Sequence, residues 1–117
     1  MPELGAKLQF AVFAVKGDVS QQNCVDTVRK IVEGIGMNPA PGAIMYGYPV
    51  DGKGGFGHTY FQPITESFIA FDAWPDLKGA YLVICSCKRF LASDVFKVLQ
   101  ENGLNVVNVE KSEVGLQ

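Results

Sequence analysis

Residues 6–16 read AKLQFAVFAVK, and both alternating sets in this stretch are mostly apolar. Leu8, Phe10, Val12 and Ala14 form one set; Gln9, Ala11, Phe13 and Val15 form the other. A strand with two apolar faces needs cover on both, so this segment predicts a central strand in a layered fold. Gly17-Asp18 breaks it. Ser20 or Asn23 can then cap a helix, with Asp26 in its first turn. Val25, Val28, Val32 and Ile35 fall at helical spacing on one face, and Gly34 and Gly36 supply the stop.

A Pro/Gly connector, MNPAPGA, leads into a strand over Ala43–Val50 with Tyr46 and Tyr48 on one face. Residues 51–55, DGKGG, read as a turn, and residues 56–62 as the second strand of a hairpin. A further strand is expected through Ile64–Ala73, ended by Trp74-Pro75-Asp76. Gly79–Cys87, GAYLVICSC, is the most apolar strand candidate. Leu91, Val95, Val98 and Leu99 mark a second amphipathic helix, stopped by Asn102-Gly103. A last strand is expected over Leu104–Val109, followed by a polar tail.

The order β-α-β-β-β-β-α-β predicts an α+β two-layer sandwich, a largely antiparallel sheet with two helices on one face. Its 117 residues fit one domain over 1–117, with no internal repeat or linker. The second sheet face, if apolar, needs a partner, and a homodimer is the simplest one.

Ten basic side chains against twelve acidic ones leave no excess for neutralising phosphates, which argues against nucleic-acid binding. No apolar run approaches about 18 residues, so no membrane span is expected. MPELGAKLQF lacks the features of a signal peptide, and a cytoplasmic location is the expectation. Three cysteines read as reduced thiols. A zinc site wants four ligands, and Cys24, His58, Cys85 and Cys87 are the only Cys and His available, so no metal site is expected.

Several local patterns have ordinary explanations. Residues 52–57, GKGGFG, match a dinucleotide fingerprint literally, but strand-like residues follow where a helix is required. His58, in a Gly-rich hairpin, reads as an exposed polar residue. Cys24 and Cys85 read as small buried hydrophobes. Cys87, followed by Lys88-Arg89, is the better candidate for a reactive thiol. Glu66 and Asp72, six apart on one strand, should share a face. Trp74, Phe68 and Phe71 read as core or interface.

The segment Ile64–Asp76, followed by an apolar strand ending in Cys87, resembles the bacterial and archaeal S-adenosylmethionine decarboxylases. That family has approximately E-S-H-x-x-x-H-T-W-P-E here, with a cysteine about twenty residues after the serine. This chain has Glu66-Ser67, Trp74-Pro75-Asp76 and Cys87 at matching positions without a gap. Thr59 falls where the family has a hydroxyl residue in a short turn. The order of elements and the small size also agree, so the likeness spans most of the chain.

The resemblance implies a self-cleaving proenzyme cut between Glu66 and Ser67. Ser67 would become a pyruvoyl group, whose carbonyl condenses with the substrate amine and acts as the electron sink for decarboxylation. Cys87 would return a proton after loss of carbon dioxide, and Thr59 would assist processing. Glu66, Phe68 and Trp74 are the candidate ligand contacts. Two family histidines are replaced: the one after the serine by Phe68, and the processing one by Asp72. A carboxylate of ordinary pKa near 4 is a weaker base than imidazole. The expectation is therefore a divergent, unprocessed and catalytically impaired relative that binds an adenosyl-type ligand or a paralogous subunit. The alternative is an active pyruvoyl-dependent decarboxylase of S-adenosylmethionine or another amino acid, serving polyamine biosynthesis.

Overall fold

A computed structural model describes residues 7–50 and 55–116. Six strands form one sheet: β1 (Leu8–Gly17), β2 (Ile44–Val50), β3 (Gly55–Ile64), β4 (Ser67–Trp74), β5 (Gly79–Ser86) and β6 (Leu104–Val114). They lie in the order β2-β3-β4-β5-β1-β6, every neighbour antiparallel. Helices α1 (Gln21–Gly34) and α2 (Ala92–Glu101) connect them. The α+β sandwich and its element order are as the sequence predicts.

Pleating sorts each strand into two faces. One face carries Ala11, Phe13 and Val15 of β1, Ile69, Phe71 and Ala73 of β4, and Leu82 and Ile84 of β5, all buried. They pack with Cys24, Val28, Ile31 and Val32 of α1 and Val95, Val98 and Leu99 of α2. Both helical stripes therefore cover the same side of the sheet. Phe13 meets Phe96 of α2 edge-on at 5.8 Å between ring centroids, a geometry that aromatic quadrupoles favour.

Among the described residues, no helix covers the opposite face. It carries Phe10, Val12 and Ala14 of β1, Tyr46 and Tyr48 of β2, Phe61 of β3, Phe68 and Trp74 of β4, and Tyr81 and Val83 of β5. Ile44, Tyr46 and Tyr81 are largely exposed there. This is the apolar second face that the two-sided β1 pattern anticipates.

Ser20 caps α1 as expected, its hydroxyl accepting the Asn23 amide N–H at 3.3 Å. Asp26, however, lies beyond the first turn. Two other expectations also need correction. The strand over Ile64–Ala73 is not continuous: Ile64 ends β3, Thr65-Glu66 form a tight turn, and β4 begins at Ser67. The last strand runs to Val114, so much of the supposed tail is an edge strand paired with β1. Of the expected turn over 51–55, residues 51–54 lie outside the described residues, and with them half of the GKGGFG pattern; Gly55 already belongs to β3. No described helix is long and apolar enough to cross a membrane.

Candidate functional site

The Glu66–Ser67 peptide sits at the tip of the β3–β4 hairpin. Ile64 pairs with Ser67 across it, and Ser67 pairs in turn with Ser86 of β5. Ser67 has φ +152°, a conformation that side-chain-bearing residues rarely adopt. Such a conformation costs on the order of 1–3 kcal/mol and persists only where surrounding contacts impose it.

Those contacts are present. The Cys87 amide N–H donates to the Glu66 carbonyl oxygen at 2.9 Å. The hydroxyl of Ser86 fixes the turn that presents this N–H: it donates to the Lys88 carbonyl at 2.7 Å and accepts the Lys88 N–H at 2.9 Å. The Lys88 ammonium donates to Gly36 O at 2.8 Å, so it is engaged at the end of α1. On the other side, the Asn38 backbone N–H and side-chain amide donate to the two Glu66 carboxylate oxygens at 3.1 and 3.0 Å. Burial alone would raise the Glu66 pKa. Hydrogen bonds from Asn38, Thr65 and its own N–H outweigh it and hold the carboxyl below its ordinary value.

Glu66 and Asp72 do not share a strand face, because Glu66 belongs to the turn. Within β4, Ser67 stands on the helix-facing side with Ile69 and Phe71, whereas Phe68 and Asp72 stand on the open side. Five residues of strand separate Ser67 from Asp72, about 16 Å. Asp72 Oδ1 accepts hydrogen bonds from the Thr59 and Tyr48 hydroxyls, each at 2.9 Å. Thr59 and Asp72 thus come together directly opposite one another, and Cys87 joins the Glu66–Ser67 peptide through its backbone N–H. The two groups do not meet within one chain.

Sequence reasoning gave no role, or the wrong surroundings, to three residues near this site. Tyr48 lies over Gly57, where any Cβ would strike its ring, and this lets its hydroxyl reach Asp72. Burial, then the bond to Asp72, raises its pKa. Asn38, in a connector, gave no signal beyond its turn-forming type. His58 is the third, and its expected exposure is wrong. The register places it on the helix-facing side, 3% exposed, its Nε2 3.6 Å from the Cys24 thiol. Burial lowers its pKa, against the opposing pull of the Val19 carbonyl and the Asp72 charge. Burial pushes Cys24 up to about 12, with Asp18 adding to the shift, so this thiol is inert as a nucleophile. Cys24 is buried as expected; Cys85 is only half-buried, its thiol also raised by burial.

The candidate ligand contacts spread along the open face. Phe68 stacks on Phe61 at 5.3 Å, and Trp74 meets Tyr81 edge-on at 5.7 Å. A cavity of about 360 Å³ opens beside Trp74, lined also by Ala14, Lys16, Leu77, Tyr81 and Val107. Among the described residues, no group of three or more His, Cys, Asp and Glu side chains is arranged to hold a metal ion.

Neither the family models nor the curated proteins compared with this sequence give a match. Among solved structures, the chain is similar to the adenosylmethionine decarboxylase from Aquifex aeolicus, with a TM-score of 0.55 and 13% identity. The likeness covers 96% of this chain and 91% of that one. The six-stranded antiparallel sheet with two helices on one side is thus an adenosylmethionine decarboxylase-like fold.

Proposed function

We propose that this protein is a divergent adenosylmethionine decarboxylase-like subunit. As a single chain it keeps the Glu66–Ser67 bond intact, and its open sheet face takes an adenosyl-type ligand and a second subunit, identical or paralogous. The carboxylate of Asp72 at the family's processing-histidine position, already accepting hydrogen bonds from Thr59 and Tyr48, carries this reading. Self-cleavage at a serine needs a group that removes the hydroxyl proton and returns one to the departing amine. The residue in the family's processing-histidine position is a carboxylate about 16 Å along the strand, on the opposite face.

The chemistry of the open face supports the ligand. S-adenosylmethionine combines a sulfonium cation, a carboxylate and a flat base. Tyr46, Tyr48, Trp74 and Tyr81 surround the Asp72 side of the sheet, and aromatic faces beside a carboxylate favour a cation. Lys16, the one charged side chain among the described residues that line the neighbouring cavity, suits the ligand's carboxylate. Trp74 is the chain's single tryptophan and reports on this face directly. Titration with S-adenosylmethionine should change its emission saturably, and Trp74→Phe should abolish the signal. Unchanged emission, with no rise in melting temperature for any adenosyl compound, would leave only the subunit role.

A second reading is favoured by one observation. The Glu66 carbonyl already accepts the Cys87 N–H, and the Ser67 backbone is held out of its relaxed region. This hairpin fits a precursor of a pyruvoyl group. If a second subunit supplied the missing proton transfers, the chain would be a pyruvoyl-dependent decarboxylase with Cys87 as proton donor.

A further inference from the structure

We infer that Asn38 is the positioning residue of the Glu66–Ser67 peptide. It holds the peptide in a geometry from which the Ser67 hydroxyl can reach the Glu66 carbonyl carbon once a base is supplied. The inference deepens the reading above and rests on it only for the identity of the reactive bond.

The connector from α1 to β2 straps across the hairpin. Asn38 O accepts the Thr65 N–H at 2.9 Å, Pro39 bridges to Ile64, and the Ala40 N–H donates to Pro63 O at 2.9 Å. Asn38 alone contributes three of the bonds at the tip: one to Thr65 and two to the Glu66 carboxylate. These fix the residue before the reactive bond at both its backbone and its side chain. The Cys87 N–H holds the Glu66 carbonyl from the β5 side, and the next residue, Ser67, stands at φ +152°. The clasp also engages both carboxylate oxygens of Glu66, which lowers the basicity of this neighbouring group.

The chemical consequence is an acyl shift limited by proton transfer. Ser67 Oγ loses its proton to solvent base and adds to the Glu66 carbonyl carbon, whose oxygen is held by the Cys87 N–H. The C–N bond then breaks, the Ser67 nitrogen takes a proton, and an ester joins Glu66 to Ser67 Oγ. The freed nitrogen no longer constrains φ. No electrons are exchanged. Hydroxylamine attacks such an ester, expels Ser67 Oγ, and leaves a hydroxamate on Glu66.

The test is incubation of the full chain with hydroxylamine at mildly alkaline pH, read by mass spectrometry as scission between residues 66 and 67. Scission at Asn102-Gly103, the chain's one Asn-Gly bond, is counted separately and reports general loosening. The wild-type chain should be cut at 66–67. Asn38→Ala and Asn38→Asp should slow this cut by about tenfold or more, with the Asn102-Gly103 rate unchanged. Asn38→Asp with Glu66→Gln reverses the donor and acceptor of the side-chain pair and should restore the rate. An uncut wild-type chain, Asn38→Ala cut at the wild-type rate, or a double variant as slow as Asn38→Asp would overturn the inference. Scission without hydroxylamine would contradict the proposed function, and Asn38 would then be judged by the same rate ratios. An uncut chain in both conditions overturns only the inference.

Discussion

Gly17→Ala should destabilise the chain by about 3–5 kcal/mol, adding positive-φ strain to an overpacking cost. Gly17 ends β1 at φ +138°, and a methyl there would sit on the Gly103 carbonyl oxygen. Both sides of that contact are backbone. The Gly17 N–H is bound to Lys78 O at 2.8 Å, and Gly17 pairs with Leu104 in the sheet, so neither side yields cheaply. Gly103 makes the control: it also has positive φ, at +76°, but open space where its Cβ would stand. Gly103→Ala should cost only about 1 kcal/mol, the strain alone. Chemical denaturation of both variants decides the matter. Equal losses would mean that the β1 end and the α2–β6 turn are not in the contact described.

Phe71→Ala should cost about 3–5 kcal/mol, the range for emptying a large core site. Phe71 is fully buried in the middle of β4, between the neighbouring strands and the helices. Against a total stability of about 5–15 kcal/mol, such a loss leaves a marginal fold. Its neighbour Phe68, half-buried on the open face, offers the contrast. Phe68→Ala should cost clearly less in stability, because its lost contact is the stack on Phe61 and not the core. Comparable losses from the two would contradict the assignment of faces.

Much of this architecture is legible in the residues. The two-sided β1 pattern, the helical stripes and the Gly breaks give the element order, and the pattern around Glu66-Ser67, Trp74-Pro75 and Cys87 marks the reactive hairpin. The tight turn at Thr65-Glu66 was not legible, since neither residue is a turn former and the strand pattern reads straight through. Asn38 and Cys87 hold that turn from distant parts of the chain. His58 was misread because the glycines around it hide the strand's alternation, leaving its face undetermined until β4 sets the register. The extension of β6 was obscured by Glu110, Lys111 and Glu113, charges that suit an edge strand as well as a tail.

The separation of the serine from its would-be base was legible in the spacing, since an odd spacing of five within one strand puts Ser67 and Asp72 on opposite faces, about 16 Å apart. What the residues did not show is the setting of Asp72, tied to Tyr48 and Thr59. That placement makes an uncut chain the expected state, and intact-mass measurement after long incubation of the purified protein tests it most directly. The account predicts one species at the full 12.7 kDa. Two fragments, residues 1–66 and residues 67–117 with the second lighter by one ammonia, would contradict it.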